Sequence, residues 1–206
     1  VLGVPPGGEG AWPHVLKFDV REDGSLIRMG GYAARISDGT LNSVGALAPS
    51  GDAVPVIEKI IVSSSVTGWG SEDGEVKRFA CLARGPVRSV FECEKTLQGG
   101  YRVHRCWYFY ADRFEIRTEI SPKLHTLTRA TYAGPGTATN ETGRRAGMDG
   151  SGNAEDFGFQ GTPSWYAVFS GRFRNACFAL SKPAGFTYWD DGGMGQISLD
   201  HSGEGE

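Results

Sequence analysis

His104, Tyr108 and Arg117 are side chains suited to elimination at a uronate sugar. Arginine can clamp the carboxylate through two parallel hydrogen bonds, while histidine or tyrosine moves the proton next to it. His104 and Tyr108 stand in the densest aromatic stretch of the chain, YRVHRCWYFY, Tyr101 to Tyr110. Glu119 and Tyr110 share their alternation and would contact substrate. His104 with Glu119 would also suit proton exchange on a sugar ring. The competing reading is a solvated strand face whose Tyr–Glu and Tyr–Arg pairs only stabilise neighbouring strands. Hydrolysis needs two carboxyl groups ~5–9 Å apart. Glu115 and Glu119, four residues apart on one strand, would be ~13 Å apart.

Two other clusters have the composition of sites. Tyr188, Trp189 and Asp190 set flat aromatic faces beside a carboxylate, a combination that stacks on sugar C–H surfaces and accepts hydroxyl hydrogen bonds. A strand end followed by a polar glycine turn is the plain alternative. In Met148-Asp-Gly-Ser-Gly-Asn-Ala-Glu-Asp156, oxygen donors recur at Asp149, Ser151, Asn153 and Asp156. Such spacing can wrap a hard cation, and Ca²⁺, which takes six to eight oxygens, is the expected ion; a polar loop is the alternative. It is not an EF-hand pattern. The four cysteines lack CxxC pairs and zinc-type histidine spacing. Their even number and the sequon Asn140-Glu-Thr142 fit an oxidising, extracellular or secreted setting.

The elements that must position these residues are strands. Glycine, 31 of 206 residues, punctuates short runs rich in Val, Ile, Phe, Tyr and Thr, and helical periodicity is almost absent. Strands are expected near 15–20, 25–29, 33–37, 56–64, 76–83, 87–95, 101–111, 114–121, 165–170, 176–181 and 197–200. Turns are expected at Asp23-Gly24, Asp38-Gly39, Asp73-Gly74 and Gly99-Gly100. So many strands predict an all-β, antiparallel two-sheet sandwich with little helix and a long Gly-rich loop over 133–163. Residues 1–206 read as a single β-sandwich domain, either a processed secreted protein or part of a larger one.

The best-defined piece is a meander over residues 85–121. A two-residue turn at Gly99-Gly100 would set Cys93 opposite Cys106 and Lys95 opposite His104. A turn at Asp112-Arg113 would set Tyr108 opposite Arg117 and Tyr110 opposite Glu115. The facing cysteines would be either a cross-strand disulfide or two small thiols. Alternation along the central strand gives a packed side, Val103, Arg105, Trp107 and Phe109, and a polar side, His104, Cys106, Tyr108 and Tyr110. Arg105 is the misfit on the packed side and requires a partner.

Gly85-Pro-Val-Arg88, the two long tyrosine-bearing strands with their Asp112-Arg113 turn, Ser164-Trp-Tyr-Ala-Val-Phe169 and Arg174-Asn-Ala-Cys-Phe-Ala-Leu180 carry a resemblance. Over residues 76–199 the chain resembles the galactose-mutarotase-like supersandwich domains of mutarotases, glycoside hydrolases and polysaccharide lyases. That resemblance implies saccharide binding on a concave sheet by His, Arg, Tyr and acidic side chains, which His104, Tyr108, Arg117 and Glu119 match in type.

Charge narrows the partners. The 21 basic and 24 acidic residues are interspersed, so no footprint for nucleic acid and no polybasic membrane-binding face is expected. No apolar run approaches the ~20 residues of a membrane span. The expected function is carbohydrate processing, as a polysaccharide lyase or glycoside hydrolase acting on an acidic polysaccharide or oligosaccharide. The alternative is a non-catalytic extracellular module for carbohydrate binding, or one for assembly, with an additional domain or self-assembly completing it.

Overall fold

The computed structural model describes residues 18–48, 50–63 and 72–122 with their side chains, and the backbone of seven further strands between 127 and 200. The protein is an all-β antiparallel sandwich. Its first sheet runs β1 (Asp19–Val20), β2 (Ile27–Met29), β3 (Tyr32–Ser37), β4 (Thr40–Leu47) and β5 (Ala53–Ser63) in chain order. Its second consists of β6 (Gly74–Ala83), β7 (Arg88–Leu97), β8 (Arg102–Tyr110) and β9 (Phe114–Ser121).

Three later strands widen the first sheet beyond β5: β10 (Leu127–Tyr132), then β16 (Met194–Asp200), then β15 (Gly185–Asp191). A separate four-stranded sheet has the order β12 (Arg145–Gly147), β11 (Gly136–Asn140), β13 (Trp165–Ser170), β14 (Phe173–Ala179). The loop expected over 133–163 therefore contains two strands. Both are short and lack large apolar residues, and pairing with β12 and β13 gives β11 its backbone partners.

The core lies between β1–β5 and β6–β9. Ile27, Met29, Tyr32, Ile36, Leu41, Ile57 and Ile60 of the first sheet pack against Phe91, Cys93, Trp107 and Phe109 of the second. Phe91 stacks on Phe79 at 5.8 Å between ring centres and meets Phe109 edge-on at 6.0 Å. Both arrangements suit the charge distribution of aromatic rings. The hydroxyl of Tyr32 on β3 donates to the carbonyls of Tyr110 and Arg113, 2.8 Å each, tying the first sheet to the β8–β9 turn.

Asp38-Gly39 forms the expected tight turn, with φ of 51° and 65° and Ser37 paired to Thr40. Two left-handed residues in succession give the hairpin turn whose twist matches its strands. The tip docks on the second sheet through charge. Lys95 Nζ donates to the Asp38 carbonyl at 3.1 Å and the Glu72 carbonyl at 2.5 Å. Arg105 donates to the Gly39 carbonyl at 3.2 Å, and to Glu72 through Nη1 at 2.9 Å and Nη2 at 2.8 Å. The partner required by Arg105 is thus Glu72, whose carboxylate also accepts the Val62 N–H at 2.6 Å.

The expected pairing of the meander needs two corrections. Gln98, Gly99 and Gly100 together make a three-residue loop, closed by the Leu97 N–H donating to the Tyr101 carbonyl at 2.7 Å, with Gly99 and Gly100 both at positive φ. β7 is therefore shifted by one residue: Cys93 faces Arg105, Glu92 faces Cys106, and Glu94 faces His104. A one-residue shift exchanges the faces of a strand. Cys93 and Lys95, expected opposite the polar-side Cys106 and His104, are buried with Phe91, and Glu92 and Glu94 take their place outside. No Cys93–Cys106 disulfide forms; Cys81, Cys93 and Cys106 are free thiols. Between β8 and β9 the shift is two residues, because the last facing pair is Phe109 and Phe114, and Tyr110, the end of β8, donates its N–H to the Arg113 carbonyl within the turn. Faces survive a shift of two, but Cys106, not Tyr108, lies opposite Arg117, and Tyr108, not Tyr110, lies opposite Glu115.

Candidate functional site

The outer face of β6–β9 is where the expected residues gather. Side chains from the strands stand there in cross-strand rows: Glu92, Cys106 and Arg117 in one; Arg78, Glu94, His104 and Glu119 in the next; Tyr108 and Glu115 in a third. Strand alternation produces this arrangement, because the opposite face carries the buried Phe91, Val103, Trp107 and Phe109. His104, Tyr108, Tyr110, Arg117 and Glu119 all reach solvent.

His104 is held between carboxylates. Its Nε2 lies 3.0 Å from Glu92 Oε1 and its Nδ1 lies 3.9 Å from Glu119 Oε2. The Cys106 sulfur lies 3.9 Å from His104 Nε2. One ligand atom from each of Glu92, His104 and Cys106 falls within 4.8 Å of the others, the one group of three possible metal-ligating side chains among the described residues. Arg78 approaches the other carboxylate oxygen of Glu92 at 3.3 Å. Burial, reinforced by the negative charge of Glu92, pushes the Cys106 thiol above the ordinary thiol range, so the free thiol is a weak nucleophile at neutral pH.

The aromatic residues of this face are covered by arginines. Arg117 lies over the Tyr108 ring at 5.1 Å, and Arg113 over the Tyr110 ring at 4.2 Å. Arg113 is also committed to Asp112 and Glu115, each at 3.2 Å. By contrast, Arg117, Arg88 and Arg102 have no carboxylate within ion-pair distance among the described residues, and all three are exposed.

His104, Arg117 and Glu119 are therefore neighbours, while Tyr108 stands four residues from His104 on the same strand, ~13 Å along the backbone. Tyr110 is two residues further. Tyr188, Trp189 and Asp190 lie on β15, the edge strand of the other sheet, opposite Ile197, Gln196 and Gly195 of β16. Their side chains are outside the described residues. Asp149, Ser151, Asn153 and Asp156, the expected Ca²⁺ ligands, also lie outside the described residues.

Glu92 is the site residue that the expected register hides. The signal for it is in β7 itself, where Phe91, Cys93 and Leu97 alternate with Glu92, Glu94 and Thr96. No protein-family model matches the chain, and no curated protein matches it.

Proposed function

We propose that the protein acts on carbohydrate by holding an acidic polysaccharide along the outer face of β6–β9. The observation that carries this reading is the spacing of its unpaired arginines. Arg88 stands opposite Tyr110, Arg117 opposite Cys106, and Arg102 begins β8 itself. Measured along β8, the three mark rows at residues 110, 106 and 102, with steps of four residues or ~13 Å. A polymer bearing carboxylates at intervals meets a guanidinium at intervals, each able to form a two-pronged hydrogen bond. The Tyr108 ring, 5.1 Å beneath Arg117, helps to hold that guanidinium at this face.

Elimination at one sugar requires proton transfer and charge neutralisation around a single carbon. The ~13 Å between the His104 and Tyr108 positions suits contacts with successive sugars along a chain, which favours binding over a relay between these two groups.

Affinity electrophoresis through gels containing a polyuronate or a neutral glucan tests the reading. The polyuronate should retard the protein and the glucan should not. Arg117→Ala should weaken retention about tenfold, the equivalent of one charged hydrogen bond of ~1.5 kcal/mol. Retention that is absent, equal in both gels, or unchanged when Arg88, Arg102 and Arg117 are all replaced by alanine would overturn it.

A further inference from the structure

We propose that Glu92, His104 and Cys106 form a binding site for a borderline-soft divalent cation, Zn²⁺ or its analogue Co²⁺, with the remaining coordination position open to solvent. The inference is independent of the polysaccharide reading, which rests on the arginines of the same face.

Geometry is the first support. Metal–ligand distances of ~2.0–2.3 Å at a tetrahedral centre place ligand atoms roughly 3.3–3.6 Å apart. Here Glu92 Oε1 and His104 Nε2 are 3.0 Å apart, His104 Nε2 and Cys106 Sγ 3.9 Å, and all three atoms lie within 4.8 Å of one another. The first two separations bracket the tetrahedral values.

The ligand set decides the ion. One sulfur, one imidazole nitrogen and one carboxylate oxygen suit Zn²⁺ or Co²⁺, whereas Ca²⁺ requires six or more oxygens. Binding takes the proton from the Cys106 thiol and releases it to solvent, because the thiolate is the ligand. The surroundings supply support for the ligands. Glu119 Oε2 stands 3.9 Å from His104 Nδ1, beyond hydrogen-bond distance and on an exposed side chain, so it adds negative charge beside the imidazole. Arg78 pairs by charge with Glu92 Oε2 at 3.3 Å without a hydrogen bond, and Oε1 is turned toward His104. A three-ligand site on a solvent-facing sheet leaves a position for water or a substrate oxygen, the arrangement of a reactive rather than a purely structural metal site.

Co²⁺ titration of the reduced protein is the direct test. Saturation at one ion per chain should bring up the thiolate-to-cobalt absorption together with intense visible bands of tetrahedral cobalt, and Zn²⁺ should displace both. Cys106→Ser should abolish the thiolate absorption, and Cys81→Ser should leave it intact. A second measurement needs no variant: Zn²⁺ should protect Cys106 of the wild-type protein from alkylation, as read by peptide mass spectrometry. Absence of a saturable thiolate absorption, its persistence in Cys106→Ser, or alkylation of Cys106 at the same rate with and without Zn²⁺ would overturn the proposal.

Discussion

Replacing Glu72 with glutamine should destabilise the protein severely, because among the described residues it is the one carboxylate paired with two buried cations. Its side chain is 1% exposed, and those of Arg105 and Lys95 are each 4% exposed. The carboxylate accepts two hydrogen bonds from Arg105 and one from the Val62 N–H, and it lies 3.9 Å from Lys95 Nζ. Glutamine keeps the shape but loses the charge, and it turns an NH₂ toward groups that are themselves donors. Lys95 retains its backbone carbonyl partners, so the main loss falls on Arg105. Breaking a buried pair from one side costs ~3–5 kcal/mol, a large share of the ~5–15 kcal/mol total of a typical domain. For a chain of this length that lowers the melting temperature by about 6–20 °C. Urea unfolding of the wild type, Glu72→Gln, Arg105→Met and the double variant measures it. The two changes should couple strongly, the double variant losing less than the sum of the singles. The exposed Lys77–Glu75 pair provides the scale for an inconsequential contact, at most ~1 kcal/mol. A Glu72→Gln loss that small, or strict additivity, would refute the reasoning.

Three other outcomes are expected. Tyr32→Phe removes the hydroxyl shared by the Tyr110 and Arg113 carbonyls and should cost ~1 kcal/mol in chemical denaturation at neutral pH. Burial pushes the Tyr32 phenol far above its ordinary value. Its contribution is therefore complete below about pH 10 and is lost as pH rises beyond it, so unfolding curves at about pH 7 to 11 should show a shallower alkaline loss in Tyr32→Phe. Gly39→Ala puts a methyl group against the Cys93 sulfur at a φ of +65°, and a fall in stability above ~1–2 kcal/mol should follow from the left-handed backbone alone. Native-state alkylation should modify Cys81 and Cys106 slowly at neutral pH and faster as pH rises, since burial lifts both thiols. It should spare the buried Cys93, and a non-reducing peptide map should show no link between Cys93 and Cys106.

Much of the second sheet is legible in the sequence. The alternation of Val103, Arg105, Trp107 and Phe109 against His104, Cys106, Tyr108 and Tyr110 identifies the two faces of β8 without any neighbour. β9 keeps its faces although its pairing differs from expectation, since a shift of two leaves alternation unchanged. β7 does not, because the length of its turn sets its register, and a Gly-Gly pair is compatible with loops of two or three residues. The missed strands have a different cause. Thr40–Leu47 follows a correctly expected turn, but its Asn, Ser and Gly give little strand propensity; pairing with β3 and β5 on either side holds it. The Arg105 partner was illegible for want of any local signal: Glu72 lies 33 residues away, and only the packed sandwich brings the two together.

The Gln98-Gly99-Gly100 loop has a consequence for how this protein tolerates change. An odd number of loop residues preserves the parity of residue numbers across the β7–β8 pair, so, the buried Val90 apart, odd positions are buried and even positions reach solvent on both strands. Glu92, His104 and Cys106 are all even, and Phe91, Cys93, Arg105 and Trp107 all odd. Adding or deleting one residue in this surface loop would alter no core or site residue, yet it would bring each inward position of one strand opposite an outward position of the other. Core and site share this arithmetic, so neither can be edited through that loop except in steps of two.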